Sequence, residues 1–189
     1  MVKVIDDFID QELFGPMQEV VCGDWQSWYY QSNIVGDFWG ETSLGKHGFN
    51  CWIVQQTNTF IDNYASGLLS PLFNKMVPFA GCTNILKSRL DMTVYGATDN
   101  QCHAHVDDVI PHLATIFYFN DSDGDTVIYN EKFDKEKYMK NHEIPKDLTV
   151  QKSVSPKANR LLIFDGAYVH TGHTPREHNN RIILNSNLS

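Results

Sequence analysis

A histidine and an aspartate two positions apart, His105 and Asp107, are the residues of this 189-residue sequence whose spacing best suits metal chemistry. In an extended chain, side chains two residues apart project to the same side and lie roughly 6–7 Å apart. One imidazole and one carboxylate can therefore bind a single metal ion. The pair alone proves little, because a chain with eight histidines and many aspartates contains a bare His-x-Asp by chance.

A second histidine, His170, could complete a metal site. It lies 63 residues after Asp107 (170 − 107), just beyond a short apolar run and a glycine turn. If the two segments are neighbours in a sheet, His105, Asp107 and His170 place two imidazoles and one carboxylate on one side of a metal ion. This arrangement with open positions is typical of non-haem Fe(II), whereas structural zinc usually has four protein ligands, often cysteines. His173 is an alternative to His170 as the third ligand.

Arg181 follows at the start of the apolar run 182–184 and shares a strand face with Ile183 and Asn185. A guanidinium in an apolar sheet interior costs free energy unless it meets an anion. A planar carboxylate accepts the two parallel N–H bonds of such a group. The sequence therefore predicts an anion-binding arginine beside the metal site, and an exposed arginine at a strand end is the alternative.

The first 80 residues predict a mixed helical and extended support. We expect a strand at residues 2–5 and a helix from Asp7 or Asp10 to about Val21, which Gly15-Pro16 interrupts or restarts. A further strand at 49–55 precedes a long helix over about 59–76, opened by Thr57 or Asn58, whose apolar residues fall near i, i+3/i+4 spacing. Gly67 and Pro71 make the middle of this helix uncertain.

From Ile85 to the C-terminus the pattern is that of β-structure. At least seven short strand-like runs are separated by turn residues; they cover 85–95, 112–119, 125–129, 148–154, 160–164, 167–170 and 181–185. Many short strands with regular turns indicate a sandwich or barrel. We therefore expect one α+β domain over 1–189, mainly β, with a jelly roll (double-stranded β-helix) over about 84–189 braced by the helices of about 1–80.

Composition narrows the class of protein. A net charge of −8 and a pI near 5.4 argue against the basic surface that nucleic-acid binding needs. The four cysteines form no Cys-x-x-Cys pair, so a zinc knuckle or thioredoxin-type motif is not indicated. Without a signal peptide or a run of about 18 apolar residues, the expectation is a cytoplasmic protein with no membrane partner. The oligomeric state stays open.

Several segments together resemble the Fe(II)/2-oxoglutarate-dependent dioxygenase superfamily, in its prolyl 4-hydroxylase-like branch. The triad and Arg181 occur in that branch's order, with Tyr95-Gly96 ahead of the His-x-Asp. Segments 118–126 (Tyr-Phe-Asn-Asp-Ser-Asp-Gly-Asp-Thr) and 156–164 (Pro-Lys-Ala-Asn-Arg-Leu-Leu-Ile-Phe) are similar to its motifs, as is the opening 5–9. Residues 85–188 carry the specific matches. Asn159 stands where a glycine is usual and Asp125 where a glutamate is usual.

The resemblance implies a role for each site residue. His105, Asp107 and His170 would bind Fe(II), and Gly172 and Pro175 favour His170 over His173, because both fit the family's pattern after the ligand. The distal carboxylate of 2-oxoglutarate would pair with Arg181 and accept a hydrogen bond from Tyr95. Thr115 would line the co-substrate pocket or pack in the core. O2 would be the second co-substrate, and ascorbate is a further cofactor that the resemblance allows.

The resemblance also implies a reaction. Asp107 is retained, which favours hydroxylation over halogenation, and the best guess for the substrate is a peptidyl proline. An oxygenase acting on a small molecule such as a free amino acid is one alternative, and a cupin-like module that binds metal or carbohydrate without redox turnover is another. The Lys-rich segment 130–147 and the aromatics over 25–39 are candidates for a substrate lid and groove, although a solvated loop and a packed core are the simpler interpretations of each.

Overall fold

Two antiparallel β-sheets and three helices form the described part of the chain. The computed structural model describes residues 2–34, 47–96, 102–134, 136 and 147–189. The helices are α1 (Gln11–Cys22), α2 (Tyr64–Leu68) and α3 (Ser70–Phe79). The strands are β1 (Val2–Ile5), β2 (Tyr29–Gln31), β3 (Gly48–Gln56), β4 (Thr59–Phe60), β5 (Ile85–Val94), β6 (Leu113–Tyr118), β7 (Thr126–Lys132), β8 (Val150–Val154), β9 (Arg160–Asp165), β10 (Tyr168–Gly172) and β11 (Asn180–Leu188).

The larger sheet has the strand order β1-β9-β6-β11-β5-β3-β2, with β4 paired to β3. The smaller sheet has the order β10-β7-β8. All pairings are antiparallel, and most neighbours are not consecutive in sequence, which is the winding of a jelly roll. The double-stranded β-helix expected from the sequence is confirmed, and all seven runs expected after Ile85 are strands. The prediction that the whole chain is one domain stays a prediction.

The larger sheet is buried on both faces. One face packs on the helices through a core that contains Phe14, Leu72, Phe117 and Leu184. The other face packs on the smaller sheet through a second cluster that includes Ile128 and Phe164. Strands covered on both sides need apolar residues at successive positions, which the runs Leu161–Phe164 and Ile182–Leu184 supply. The N-terminal residues also contribute β1, β2, β3 and β4 to this sheet, so the support and the jelly roll share it.

The long helix predicted over 59–76 is wrong. Residues 59–60 pair with β3 as β4, and two shorter helices follow, with Leu69 between them. Asn58 does not cap a helix: it has a φ of 54° in the hairpin turn, and its side chain accepts a hydrogen bond from Ile85 N at 2.8 Å. Asn63 caps α2 instead by accepting from Ser66 N at 2.9 Å. Pro71 lies in the first turn of α3, where its missing N–H costs nothing.

Pro16 lies inside α1 and does not end it, contrary to the expected interruption. A proline here removes one hydrogen bond of the helix, and the buried residues Phe14, Met17 and Val21 on the inner face hold the helix against the sheet. No helix in the described residues is long and apolar enough to cross a membrane.

Asn159 explains its own departure from the family pattern. Its φ of 63° is in the left-handed region where glycine is usual, and asparagine is among the residues that tolerate it. The buried side chain accepts a hydrogen bond from Ile9 N at 3.0 Å and donates to Ile9 O at 2.7 Å. Asn159 therefore ties the segment before α1 to the turn before β9, which a glycine could not do.

Three of the four described N-terminal aromatics are not part of the packed core that was the simpler expectation. Trp25, Tyr29 and Tyr30 are exposed, whereas Trp28 is partly buried against the main core. Phe38 and Trp39 lie outside the described residues, as does most of the Lys-rich segment. Residues 130–132 of that segment belong to β7. The lid and groove hypotheses therefore gain no support from the described residues.

An exposed ion pair between Asp6 and Arg160 gives a small, pH-dependent contribution to stability. Arg160 Nε lies 2.6 Å and Nη2 3.0 Å from the two Asp6 oxygens, and Lys157 adds a contact at 3.2 Å. The hydrogen bonds from Arg160 lower the pKa of Asp6 from 3.8 to about 2. Because the folded-state pKa is the lower one, this stabilisation is present above about pH 4 and is lost as the pH falls through 2.

We expect Asp6→Asn to lower the free energy of unfolding at pH 7 by less than about 1 kcal/mol, because the exposed carboxylate is screened by solvent. Urea titrations between pH 7 and pH 2 measure the effect. The difference from the unmodified protein should shrink as the pH falls toward 2. A difference that is unchanged at pH 2 would contradict the assignment to this ion pair.

Candidate metal centre

Two imidazoles and one carboxylate converge in a cavity of about 280 Å³ between the two sheets. His105, Asp107 and His170 each offer one ligand atom, and these atoms lie within 4.8 Å of one another. His105 Nε2 is 3.8 Å from Asp107 Oδ1, and His170 Nε2 is 3.8 Å from Asp107 Oδ2. In the described part of the chain this is the one cluster of at least three histidine, cysteine or acidic side chains that could hold a metal ion.

In both histidine rings, Nδ1 is hydrogen-bonded to the backbone and Nε2 faces Asp107. His105 Nδ1 lies 2.9 Å from the backbone oxygen of His103, and His170 Nδ1 lies 3.1 Å from that of Tyr168. A carbonyl only accepts, so Nδ1 carries the proton in each ring and Nε2 keeps its lone pair for a metal. The ring of Phe164 meets His170 edge-on at 4.9 Å and fixes its orientation.

The charges of the triad also suit a cation. Burial lowers the pKa of His170 to about 4, although the nearby Asp107 opposes the shift, so the imidazole is neutral at pH 7. Burial alone would raise the pKa of Asp107, but the charges of His170, His105 and Lys87 lower it to about 2. The carboxylate is therefore ionised and faces the neutral imidazole of His170, and both are in the form that binds a divalent metal ion.

Backbone pairing places the His-x-Asp segment beside β10. His105 and His170 form an antiparallel bridge in which each N–H donates to the other's oxygen at 2.9 Å. The Thr171 hydroxyl donates to Cys102 O at 2.6 Å and adds a second attachment. These bonds bring together the two segments that the sequence could only suppose to be neighbours.

Two side chains of the larger sheet hold Asp107 from the other side. Lys87 on β5 donates from Nζ to the backbone oxygen of Asp107 at 2.5 Å and pairs with Asp108 at 3.4 Å. Asn185 on β11 donates from Nδ2 to Asp107 Oδ1 at 3.3 Å. Since a carboxylate only accepts, this contact fixes which end of the Asn185 amide faces Asp107. Its Oδ1 is buried and has no hydrogen-bond partner among the described residues.

Arg181 lies at the other end of the same cavity and is 4% exposed. Its Nη2 donates to the Thr126 hydroxyl at 2.7 Å, and that hydroxyl also accepts from Tyr118 OH at 2.8 Å. The guanidinium carbon lies 5.7 Å from the centre of the Tyr118 ring. Arg181 Nε is buried without a hydrogen-bond partner in the described part of the chain, so the group is left with capacity for an anion.

Register on β11 relates this anion site to the metal ligands. Arg181 and Asn185 are four residues apart on the cavity face, a separation of about 13 Å between Cα atoms. Arg181 lies at one end of this row, and Asn185 contacts Asp107 at the other. A short dicarboxylate that pairs with Arg181 can therefore extend along β11 toward the triad.

Because Gly124 has no side chain, the Arg181 side chain can pack against it. A Cβ added at Gly124 would lie 3.0 Å from Arg181 Cδ and 2.5 Å from the His173 oxygen. We expect Gly124→Ala to lower the free energy of unfolding by about 1–3 kcal/mol and to weaken anion binding at Arg181, because the arginine stem must shift. Gly15→Ala is the matched control, since nothing lies within 4 Å of its added Cβ. Urea unfolding and 2-oxoglutarate titration test both, and equal effects at the two sites would contradict this account.

The structure brings together four of the six site residues expected from the sequence: His105, Asp107, His170 and Arg181. Tyr95 is 56% exposed and does not line the cavity, because it follows the end of β5. Thr115 is fully buried on the face of β6 that packs on the helices, and its hydroxyl donates to Ser186 O at 3.1 Å. The core-packing alternative for Thr115 is the one that the structure supports.

His173 does not join the cluster. It lies one residue beyond β10, and its backbone N–H donates to Asp125 O at 2.9 Å. The ligand set that the geometry assembles contains His170 in its place.

Sequence reasoning missed polar residues at the cavity. Thr126, which lines it, and Tyr118, which donates to Thr126, lie in the family-like segment 118–126 but were given no role. Arg89 and Asp91 alternate along β5 with apolar residues and both line the cavity. The alternation was visible, but a polar strand face is equally typical of one that meets solvent.

A metal ion fits the triad. Ligand atoms bound at about 2.1 Å lie about 3 Å apart when they are adjacent, so the observed separations close with small side-chain movements. The second oxygen of the carboxylate, Asp107 Oδ2, is buried without a hydrogen-bond partner among the described residues, which a metal ligand bond would satisfy. Two histidines, one carboxylate and open positions are the set typical of non-haem Fe(II).

Comparison with solved structures identifies the architecture. A 2OG-Fe(II) oxygenase family oxidoreductase from Burkholderia pseudomallei matches with a TM-score of 0.68 at 13% identity, over 100% of this chain and 84% of its own. A Trichoplax adhaerens prolyl hydroxylase, solved with a hypoxia inducible factor oxygen degradation domain peptide fragment, matches with a TM-score of 0.65 at 14% identity, over 99% and 83%. The chain has the 2OG-Fe(II) oxygenase fold.

A third similar structure is that of an epimerase. The non-heme alpha ketoglutarate dependent epimerase SnoN from nogalamycin biosynthesis matches with a TM-score of 0.64 at 8% identity, over 100% of this chain and 77% of its own. No protein-family model matches the sequence, and no curated protein matches it either. At these identities the likeness establishes the fold alone.

Proposed function

We propose that this protein is an Fe(II)- and 2-oxoglutarate-dependent oxygenase that hydroxylates a C–H bond. The observation that carries the proposal is one cavity with a His105–Asp107–His170 ligand set at one end and the buried Arg181 at the other. Such a cavity can bind a metal ion at the first end and a carboxylate of the co-substrate at the second. The 2OG-Fe(II) oxygenase fold, with the same superfamily suggested by the sequence motifs, supports the assignment.

Each side chain has a defined task in this proposal. The triad would hold Fe(II), which with 2-oxoglutarate and O2 supplies the oxidising chemistry that the side chains lack. Arg181 pairs with the distal carboxylate of the co-substrate and Thr126 presents its hydroxyl beside it. Burial raises the pKa of Tyr118, so its hydroxyl stays protonated and continues to donate to Thr126. Asn185 and Lys87 keep Asp107 in place.

Peptidyl proline remains the substrate favoured by the sequence resemblance. The likeness to a prolyl hydroxylase solved with a peptide supports that class, and the likeness to SnoN supports a small molecule. The reaction is the same for both classes: the substrate C–H becomes C–OH while 2-oxoglutarate and O2 yield succinate and CO2.

An anaerobic titration tests the proposed cofactors. Protein loaded with Fe(II) should develop a weak visible charge-transfer band when 2-oxoglutarate is added, and exposure to O2 with a substrate should then give succinate. A wild-type protein that binds metal but gives no band would remove the oxygenase proposal. The cupin-like binding module would then take its place.

A further inference from the structure

A second charged pair lines the same cavity and has no part in holding metal or co-substrate. Arg89 and Asp91 lie two residues apart on β5 and both face the cavity. Arg89 Nε is 2.6 Å from Asp91 Oδ1 and Nη2 is 3.1 Å from Oδ2. The guanidinium also lies over the ring of Trp52 on β3, with its central carbon 5.3 Å from the ring centre. The group is thus fixed in orientation.

Strand register puts this pair on the strand beside the co-substrate route, with Arg89 next to Asn185 and Asp91 next to Ile183. Asn185, Arg89 and Trp52 are direct neighbours across β11, β5 and β3. Since Asn185 contacts Asp107, Arg89 lies one strand away from the metal ligands. It is four positions along the sheet from the row that contains Arg181 and Thr93. A molecule on Arg89 could reach the metal without displacing a dicarboxylate on Arg181.

The pair contributes little to joining the fold together. The Arg160–Asp6 pair has nearly the same distances, but its two residues are 154 positions apart and it connects β9 to the segment after β1. Arg89 and Asp91 belong to one strand, so their contact joins no separate elements. Asp91 is 5% exposed, and burying such charges costs free energy that the pair alone does not recover. A role for the pair in binding accounts for its position.

The charges of the cavity indicate what would bind there. A metal ion matches Asp107 and a co-substrate carboxylate matches Arg181, which leaves Arg89 and Asp91 as a neutral pair. Because Arg89 and Asp91 already pair with each other, an anion alone would bring a second negative charge to Arg89 with no added cation, and a neutral molecule would use neither charge. A molecule with both charges on neighbouring atoms matches both groups. Asn185 Oδ1, buried without a hydrogen-bond partner in the described residues, is a further acceptor in the cavity.

We propose that the prime substrate is a free α-amino acid whose carboxylate binds Arg89 and whose ammonium group binds Asp91 and Asn185 Oδ1. Its side chain then points to the metal, and one of its C–H bonds becomes C–OH as 2-oxoglutarate and O2 are converted to succinate and CO2. This inference rests on the proposed oxygenase function and selects the small-molecule class over the peptidyl proline.

The test is a binding and turnover panel on anaerobic protein carrying Fe(II) and 2-oxoglutarate. The probes are the twenty free L-amino acids, the N-acetyl amide of each, and end-capped proline-containing peptides. Calorimetry gives the affinities, and succinate formation after O2 addition gives turnover. At least one free amino acid should bind, should stimulate succinate formation and should bind at least 30-fold more tightly than its own N-acetyl amide.

Variants assign the preference to the pair. Arg89→Gln should weaken binding of the free amino acid at least 30-fold and remove its advantage over the amide. Arg89→Gln/Asp91→Asn, which leaves no charge unpaired, should behave likewise and retain the charge-transfer band as evidence of an intact co-substrate site. Arg160→Gln breaks an arginine–aspartate pair with similar distances that lies outside the cavity. This variant should leave the preference for the free amino acid unchanged.

The outcomes separate this inference from the proposed function. No charge-transfer band in the wild type removes the oxygenase proposal itself. A band without binding of any free amino acid, or hydroxylation of capped proline peptides in preference to free amino acids, overturns only the inference. It is also overturned if Arg89→Gln and the double variant both keep the preference for the free amino acid.

Discussion

Replacing His170 by alanine is expected to remove Fe(II) binding and with it all succinate formation. The change deletes one of three ligands from a buried site and leaves only His105 and Asp107, which cannot hold a metal ion in a facial set. The loss of affinity should exceed the 10- to 100-fold typical of losing an outer-shell partner. Calorimetric titration with Fe(II) under anaerobic conditions measures it directly.

His173→Ala is the matched control for this prediction. It deletes an imidazole only three residues away, yet the bond from His173 to Asp125 uses the backbone and survives the change. Metal affinity should stay within a few-fold of the unmodified protein. If His173→Ala abolished binding while His170→Ala preserved it, the third ligand would be His173 and the geometric assignment would be wrong.

Replacing Arg181 by alanine is expected to weaken 2-oxoglutarate binding by about 2–5 kcal/mol, or from about 30-fold to several thousand-fold. The carboxylate would lose a buried partner and remain desolvated. Metal binding should be unaffected, because about 13 Å of strand separates Arg181 from Asn185, which contacts Asp107. Titration of the charge-transfer band with 2-oxoglutarate gives the affinity, and Fe(II) calorimetry gives the independent metal reading.

Arg181→Lys tests whether a positive charge alone is enough to bind 2-oxoglutarate. Lysine keeps the charge but cannot form the bidentate contact, so its loss should be smaller than that of alanine but still measurable. Arg176→Ala serves as the control for removing an exposed arginine; only the backbone N–H of Arg176 contacts Asp123. An Arg181→Ala protein with unchanged 2-oxoglutarate affinity would refute the anchor role and favour a module that binds metal without this co-substrate.

Features that depend on local sequence were predictable. The seven strands after Ile85 follow from alternation and turn residues, and His105, Asp107 and His170 follow from spacing within a motif. The late start of the helical segment was not predicted, because residues 59–76 keep helical spacing while Thr59 and Phe60 pair with β3. Pairing with a distant strand overrides the local helix preference, and a short stretch of sequence contains no information about that pairing. The break at Leu69 lies between Gly67 and Pro71, the part of the helix that the sequence left uncertain.

The face of a strand was harder to predict than the strand itself. Thr115 and Ile116 lie on opposite faces of β6, and both faces are buried, one by helices and one by the smaller sheet. Hydrophobicity therefore did not say which residue meets the cavity. On β5 the same limit hid Arg89 and Asp91, since only the strand neighbours reveal that their face is enclosed.

The smaller sheet has a thermodynamic consequence for ligand binding. It supplies His170 and Thr126, whereas Arg181 and Asn185 belong to the larger sheet, and His105 and Asp107 come from the connection between two of the larger sheet's strands. Separation of the two sheets would break the contacts of any ligand that spans these residues, so such a ligand stabilises their packing. At 100 times its dissociation constant such a ligand adds about 2.7 kcal/mol to every opening that breaks the site. The rate of amide hydrogen exchange in β7 and β10 should therefore decrease as ligand binds, and it reports the occupancy of the site.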